Sequence, residues 1–187
     1  MEQLLTIEHS DPKADLLVVT NMWPDQERVA YGVFVKRQVE SLIDAGVRCD
    51  VVHVRGARSS LAYALAALRF AAWSVTRRGR YKLVHVHAGE TTVPARALVG
   101  TPQIASYCGD DLLGNPGTDG ELTRSSRIRA WVLRQISRTL AGTITKSAEM
   151  EGALPAGRAC ATRPRTPLRP ATCACSGSRA WWPRTGR

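Results

Sequence analysis

The sequence predicts an α/β fold built on a doubly wound parallel sheet, because short apolar runs alternate with helical patterns along the chain. The first run, Leu16–Val19, is unbroken, which is typical of a strand that is covered on both faces. Apolar residues then recur at helical spacing from Val35 to Ile43, and Gly46 follows as a stop signal. A second run, Cys49–Val54, completes a strand–helix–strand unit with an expected right-handed crossover.

The rest of the chain repeats this alternation. Further strands are predicted at Lys82–His87, Gln103–Tyr107 and Gly142–Thr145. Further helices are predicted at Leu61–Thr76, Thr91–Val99, Glu121–Leu140 and Ala148–Leu154, with a glycine-rich loop at Cys108–Thr118. Five strands alternating with helices predict one Rossmann-like domain over residues 15–155, preceded by an extension over residues 1–14.

Two predicted helices carry more than one notable face. The helix Leu61–Thr76 is apolar on most sides, which a helix lying across the sheet explains; docking to a membrane surface or a second domain is the alternative. In the helix Glu121–Leu140 the predicted core stripe is Ile128, Val132, Ile136 and Leu140. Another face groups Trp131 with Arg124, Arg127, Arg134 and Arg138. That face predicts either a solvated basic surface or a contact with an anionic membrane.

Charge is unevenly distributed along the chain. The formal net charge is +10, but residues 156–187 hold seven of the 26 basic residues and no acidic one. The remaining 19 basic residues stand against 16 acidic ones, which leaves +3 and disfavours a nucleic-acid partner. No apolar window is long enough to span a bilayer, and the N-terminus lacks a signal-peptide pattern. A cytoplasmic location is expected, with peripheral attachment at the inner membrane face as the alternative.

Residues 156–187 differ in composition from the rest, with no Ile, Val, Lys, Asp, Glu or Phe. A segment rich in Arg, Pro, Ala, Cys and Trp is typical of a GC-rich gene that is translated out of frame, so we predict a frameshift here. A disordered basic tail is the alternative, because the segment cannot bury a core. A metal site from Cys160, Cys173 and Cys175 is a third reading, disfavoured because a fourth ligand is missing.

Ligands of doubly wound sheets bind beyond the carboxyl ends of the strands, which selects the loops after each predicted strand. Gly32 precedes a helix whose N-terminus can hold a phosphate. His87 ends a strand and is either a site residue or a packed one. Asp110 or Asp111 is expected to face the cleft, although either can instead cap a turn. The absence of G-x-G-x-x-G after the first strand, and of a P-loop, disfavours NAD and nucleotide hydrolysis.

Four segments follow one another in a specific order and spacing: WPDQERVAYGVFVKRQVESLIDAGVRCDVV, LVHVHAGETTVPA, PQIASYCGDDLLG and ITKSAEMEGALP. Over residues 15–155 they resemble the N-terminal half of a family 4 glycosyltransferase of the GT-B fold. That family transfers a sugar, with retention, from a nucleotide-sugar donor to an acceptor. The resemblance implies that this domain serves the acceptor, and that a second Rossmann-like domain with an E-x7-E type motif binds the donor.

The resemblance assigns substrate-binding positions one by one. Gly32 matches a first-loop glycine near the donor phosphates, and His87 matches the second histidine of an H-x-H strand end. Lys146, with Ser147, matches the loop after the fifth strand.

The segment after the fourth strand matches a family H-G-x-D pattern with one departure. Gly109 and Asp111 match, but Cys108 replaces the histidine that lies near the reacting sugar, so that role is not carried over. Asp111 is the candidate catalytic residue, and Asp110 joins the substrate-binding set. No metal site is expected.

The resemblance therefore implies a retaining hexosyltransferase with no cofactor beyond its nucleotide-sugar substrate. Its expected partners are an acceptor sugar or lipid-linked sugar and a donor-binding C-terminal domain. An anionic membrane surface is an alternative partner, and no nucleic acid is expected. Because transfer needs both domains to hold the reactants together, we expect no activity from the chain alone. The alternative function is a stand-alone Rossmann-like module for a phosphorylated small molecule or a protein partner.

Overall fold

The computed structural model describes residues 4–56, 59–117 and 120–155. Within these ranges one six-stranded sheet carries helices packed against both of its faces, which confirms the α/β prediction. The predictions for residues 156–187, among them the out-of-frame tail, the disordered tail and the Cys160, Cys173 and Cys175 site, lie outside the described residues.

The strands are β1 (Leu5–His9), β2 (Leu16–Thr20), β3 (Cys49–Val54), β4 (Leu83–His87), β5 (Gln103–Ser106) and β6 (Gly142–Ile144). The helices are α1 (Val33–Asp44), α2 (Leu61–Thr76), α3 (Thr92–Ala95), α4 (Asp110–Leu113), α5 (Arg124–Ser137) and α6 (Ala148–Ala153). A 3-10 turn, Gly89–Thr91, precedes α3. Two predicted helix-end signals are confirmed: Gly46 (φ 83°) follows α1, and Ser147 caps α6 by accepting from the Met150 N–H.

The strand order is β1-β3-β2-β4-β5-β6, with β2 to β6 parallel. From β2 the chain moves outward to β3, then returns past β2 to add β4, β5 and β6 on the other side. This reversal is the topological switch point of a doubly wound sheet, and it lies between β2 and β4. Ligand sites in such sheets open at the carboxyl ends of the strands beside the switch point.

One strand was not predicted from the sequence. β1 pairs antiparallel with β3, Leu5 opposite Val54 and Ile7 opposite Val52, so part of the predicted N-terminal extension joins the sheet. β1 has five residues, lies at the edge and leaves Ile7 46% exposed. A short, half-exposed edge strand carries too few apolar residues to give a periodic signal.

Two apolar cores sandwich the sheet. The larger core joins β2–β5 to α2, α3 and the helix region around Leu112 and Leu140, with Phe70 and Tyr107 fully buried. The smaller core lies on the other face, where Val39 of α1 packs against Val18 and Val51.

Within α5 the predicted core stripe is wrong in its position, although its last member, Leu140, is buried in the core beyond the end of the helix. The face that packs inward carries Ser126, Ala130, Leu133 and Ser137, whereas Ile128 is 64% exposed. Small residues on that face allow close approach to the neighbouring elements. Arg134 also leaves the predicted basic face, because its guanidinium donates twice to the Leu112 carbonyl at the end of α4, at 2.7 and 3.0 Å. Arg124, Arg127, Arg138 and Trp131 stay exposed.

The helix α2 lies across the sheet as predicted, and it also has an outward apolar face. Its buried side is Ala62, Ala66, Phe70 and Trp73. A stripe at i, i+4, i+7 and i+14, 43–79% exposed, is formed by Leu61, Leu65, Leu68 and Val75. No helix within the described ranges is long and apolar enough to cross a membrane.

The amino edge of the sheet, where the parallel strands begin, is held by a polar cluster around Asp50, which is 3% exposed. One carboxylate oxygen accepts from the Asp11 N–H (2.8 Å), and the other from the Arg80 guanidinium (2.9 Å) and the Tyr81 hydroxyl (2.7 Å). These bonds join the segment before β2 and the segment before β4 to β3.

Candidate functional site

A cavity of about 140 Å³ opens at the carboxyl ends of β2 and β4, where the switch point places a ligand site. We call it the polar cleft. Its lining comes from five separate parts of the chain and includes Asn21, Tyr31, Glu90, Cys108, Asp110 and Arg129.

Glu90 is the centre of a hydrogen-bond network on the wall of the polar cleft. Its carboxylate accepts from Arg129 Nη1 on α5 (3.0 Å) and from the Asn21 amide after β2 (3.1 Å). The same amide nitrogen also lies 3.0 Å from the Tyr63 hydroxyl on α2. The network therefore ties the end of β2 to both covering helices, which fixes the positions of its polar atoms.

Two polar atoms of this wall have no hydrogen-bond partner. Asn21 is 6% exposed, yet its carbonyl oxygen Oδ1 is buried and unpaired, and Arg129 Nε is in the same state. Buried acceptors and donors are nearly always satisfied in folded proteins, and these two exceptions belong to residues that line the polar cleft.

Asp110 and Asn115 form the opposite side of the polar cleft. With its side-chain amide oriented to suit both neighbours, Asn115 donates to Asp110 Oδ2 (2.9 Å) and accepts from Arg129 Nη2 (3.3 Å). Asp110 is exposed, so its carboxylate is open to a ligand on the solvent side.

Asp111 lies among the lining residues, but its carboxylate is occupied by the backbone. It is 5% exposed and accepts from the N–H groups of Gly89, Cys108, Gly109 and Leu112, at 2.8–3.1 Å. A side chain at Gly89 would meet the Asp111 Cβ at 2.7 Å, so the two loops touch directly. The arrangement fixes the loops after β4 and β5 against each other, and Gly109 contributes to it through its backbone.

His87 is packed beneath the site and does not line the polar cleft. It is 1% exposed, and its ring lies 4.2 Å from that of His85, which bonds Ser106 Oγ at 2.8 Å. Burial lowers the pKa of His85 to about 4. Burial, with His85 and Lys146 nearby, lowers the pKa of His87 to about 3. Both rings are therefore neutral at physiological pH.

Gly32 and Lys146 both lie near the first turn of α1, since Gly32 is its N-cap residue and Lys146 contacts Phe34. Gly32 has φ 76°, and a side chain there would come within 2.4 Å of the Met22 backbone, so only glycine fits. The Lys146 ammonium lies 4.3 Å from the centre of the Phe34 ring and 3.8 Å from Cys108 Sγ. Burial raises the pKa of the Cys108 thiol more than Lys146 lowers it, so the thiol is protonated.

The structure thus separates the predicted site residues into three groups. Asp110 and Cys108 line the polar cleft, Gly32 and Lys146 flank a neighbouring helix N-terminus, and Asp111, Gly109 and His87 form the support. Sequence reasoning missed Asn21, Glu90, Asn115 and Arg129. The first three lie in loops that the strand-end rule selects, but Arg129 comes from a helix whose orientation the sequence did not give.

Comparison with known proteins adds no relative. No family model and no curated protein matches this chain. Among the described residues, no cluster of three or more His, Cys, Asp or Glu side chains is arranged to hold a metal ion.

Proposed function

We propose that the polar cleft binds the sugar acceptor of a retaining, family 4-like glycosyltransferase, of which this chain supplies the acceptor side. The observation that carries the proposal is the polar lining of the cleft, which includes the exposed Asp110 carboxylate, the Asn21 amide and the Arg129 guanidinium. A sugar presents hydroxyls that both donate and accept, and this lining offers both kinds of partner.

The surrounding network supports the proposal because it holds these groups in place before a ligand arrives. Glu90, Arg129, Asn21 and Asn115 each bond at least one other member of the wall. Because these side chains are already ordered, they lose little conformational entropy when a ligand binds. This favours binding of a hydroxyl-rich ligand in a cavity of about 140 Å³.

The proposed reaction passes a hexose from a nucleotide-sugar donor to an acceptor hydroxyl, with retention. The resemblance places the donor phosphates near Gly32, and the Lys146 ammonium lies beside the first turn of the helix that follows it. A cation and a helix N-terminus both favour a diphosphate there.

Titration of the full chain with methyl glycosides of glucose, galactose and mannose, followed by calorimetry, tests the acceptor role. We expect millimolar or tighter binding of at least one glycoside, and a loss of about tenfold in Asp110→Asn. Asp44→Asn, on the exposed end of α1, is the matched control and should bind like the wild-type chain. Failure of all three glycosides to bind would refute the proposal.

A second candidate, a binding module for a phosphorylated small molecule, is favoured by Lys146 beside α1. Pyrophosphate should then bind without any glycoside, and Lys146→Gln should abolish that binding while Lys36→Gln, exposed later on α1, leaves it intact. Glycoside binding that depends on Asp110 distinguishes the first function from this one.

A further inference from the structure

The outward face of α2 carries apolar residues at the spacing of a coiled-coil seam. Leu61, Leu65, Leu68 and Val75 are 43–79% exposed, and Ala72 between them is exposed as well. The steps between successive members are four, three, four and three residues, which is the a/d pattern of two heptads. At ~100° per residue the five positions fall within about 80° of one another. They form one narrow stripe, which we call the α2 seam.

The α2 seam is distinct from the face that α2 uses to pack on the sheet. The buried residues of the helix belong to the larger core, and they are Ala62, Ala66, Phe70 and Trp73. At ~100° per residue the centre of this buried face lies about 135° around the helix from the centre of the seam. The fold is therefore complete without the seam, and a continuous exposed apolar stripe is typical of a surface that binds a partner.

The width of the seam fits a second helix better than a membrane surface. Exposed alanines, Ala64 and Ala71, flank it on one side. A strict a/d stripe packs its side chains into the spaces of a facing helix, and small flanking residues allow close approach. A helix that lies in a membrane interface instead presents a wide apolar face with aromatic residues on it. The aromatic residues of α2 lie off the seam, on its buried or half-buried sides: Tyr63, Phe70 and Trp73.

The charges beside the seam favour an acidic partner. α2 contains no Asp or Glu, its one charged residue is Arg69, and Arg77 and Arg78 follow its last residue. The guanidinium groups of Arg69 and Arg77 lie 5.6 and 4.1 Å from the centre of the Trp73 ring, so positive charge is held on one flank of the helix. Charges beside a seam decide which helix it pairs with.

The same charge disfavours a second copy of the chain as the occupant. Arg69 adjoins Leu68, the middle residue of the seam. Two copies paired in antiparallel orientation would bring their Arg69 side chains together at the centre of the contact. Like charges placed opposite each other across an interface are unfavourable, whereas a carboxylate on a different helix would pair with Arg69.

We propose that the α2 seam binds an amphipathic helix of a partner protein, with apolar residues at heptad spacing and Asp or Glu beside them. The apolar side chains of that helix pack between the members of the seam, and its carboxylates pair with Arg69 and the arginines after α2. The proposal does not depend on the proposed function, because no residue of the seam lines the polar cleft. At 1.5 Å per residue the seam is about 21 Å long, which predicts a small contact of micromolar affinity.

Synthetic three-heptad peptides test the proposal with the full chain. The acidic heptad peptide has Leu at positions a and d and Glu at e and g. One control peptide has Lys in place of these Glu residues, and a second has the composition of the acidic peptide in an order that breaks the heptad pattern. Calorimetry at physiological salt should give a micromolar dissociation constant for the acidic heptad peptide and at least about tenfold weaker binding of both controls.

Variants of the chain locate the binding surface. Leu68→Glu places a carboxylate in the middle of the seam and should weaken the acidic heptad peptide at least about tenfold. Ile128→Glu is the matched control, because Ile128 is 64% exposed on α5 and outside the seam, and it should bind like the wild-type chain. Arg69→Glu should weaken the acidic peptide and strengthen the Lys peptide. A general loss of structure would not produce that reversal of preference.

Four outcomes would overturn the proposal. No binding of the acidic heptad peptide would refute it directly, and equal binding of the scrambled peptide would show attraction by net charge alone. Binding to phosphatidylserine vesicles that Leu68→Glu abolishes, without peptide binding, would assign the seam to a membrane. Self-association of the chain that Leu68→Glu abolishes would assign it to a second copy. None of these outcomes bears on glycoside binding, so the proposed function would stand or fall separately.

Discussion

Polar groups have different roles at the two ends of the parallel strands, the amino edge and the carboxyl edge. At the amino edge, both oxygens of Asp50 are bonded, and hydrogen bonds from Arg48 and Lys82 lower the pKa of Asp15. Both edges hold a buried polar atom without a partner, Arg80 Nε at the amino edge and Asn21 Oδ1 and Arg129 Nε at the carboxyl edge. Both edges come from the same strands, so the difference lies in the loops. The amino-edge groups bond one another around Asp50, whereas the carboxyl-edge groups line the polar cleft.

The largest expected effect is a loss of stability at acidic pH. It tests the buried histidines, His85 and His87, that lie beneath the carboxyl edge. His85 and His87 have pKa values of about 4 and about 3 when folded, below the value near 6.5 of an unfolded histidine. As pH falls below 6.5, both histidines are protonated in the unfolded chain before they are protonated in the folded chain. The stability that is present above pH 6.5 is therefore lost as the pH falls toward 4. Each histidine contributes a slope of ~1.4 kcal/mol per pH unit, or about 5 kcal/mol in total by pH 4.5.

Urea unfolding between pH 7 and pH 4.5 measures this slope. In His85→Gln the slope over that range should fall by ~1.4 kcal/mol per pH unit, because the unfolded chain no longer takes up the proton of His85. An unchanged slope in His85→Gln would show that these rings are not the cause of acid sensitivity.

The next effect tests the amino edge, where both carboxylate oxygens of Asp50 are hydrogen-bonded. Asp50→Ala should lower the free energy of unfolding by about 3 kcal/mol, because it strands Arg80, Tyr81 and the Asp11 N–H in a buried site. Asp15→Ala, which removes a more exposed carboxylate from the same edge, should change stability little. Chemical denaturation checks both. A tolerated Asp50→Ala would break the contrast between the two edges.

A smaller loss of stability is expected at the support beneath the cleft. Asp111→Ala should cost about 2 kcal/mol, since four backbone N–H groups lose their acceptor. Glycoside binding should fall with stability because the loops after β4 and β5 separate. Asp111→Asn keeps one carbonyl oxygen and should restore part of both quantities. If Asp111→Ala abolished binding while the melting temperature stayed at the wild-type value, Asp111 would contact the ligand itself.

The smallest expected change in stability is at the open edge itself. Asn21→Ala loses the bonds to Glu90 and Tyr63 but also removes an unpaired buried acceptor, so the net change should stay within about 1 kcal/mol. Glycoside affinity should nevertheless fall about tenfold. Thermal unfolding and calorimetry on one preparation give both numbers. A large loss of stability with unchanged affinity would place Asn21 among the structural residues.

Most of the fold and part of the candidate site could be predicted from the sequence. Short apolar runs alternating with helical patterns predicted the five parallel strands, and the first of them, Leu16–Val19, is unbroken because its strand is buried on both faces. β1 escaped because its five edge residues alternate without a strong apolar signal. The face of α5 was wrong because small residues, Ser126, Ala130 and Ser137, pack inward and carry no hydropathy signal. Arg129 was missed as a consequence of that rotation.

The sequence predicted which loops carry the candidate site residues, but not which of their side chains face the cleft. The strand-end rule selected the loops that contain Asn21, Glu90 and Asp110, and the structure brings them to one cavity. Which of two adjacent aspartates faces a ligand depends on the turn geometry of α4, where Asp111 accepts from N–H groups of its own loop and of the loop after β4. Local sequence does not contain that information.

The central claim is that the carboxyl edge, and not the amino edge, receives a hydroxyl-rich ligand. Backbone amide chemical shifts of the full chain, recorded while a methyl glycoside is added, test this claim most directly. The account predicts saturable shifts at Asn21, Glu90, Asp110 and Arg129, with none at Asp15, Asp50 and Arg80. Shifts confined to the amino edge, or no saturable shift with glucose, galactose or mannose glycosides, would contradict it.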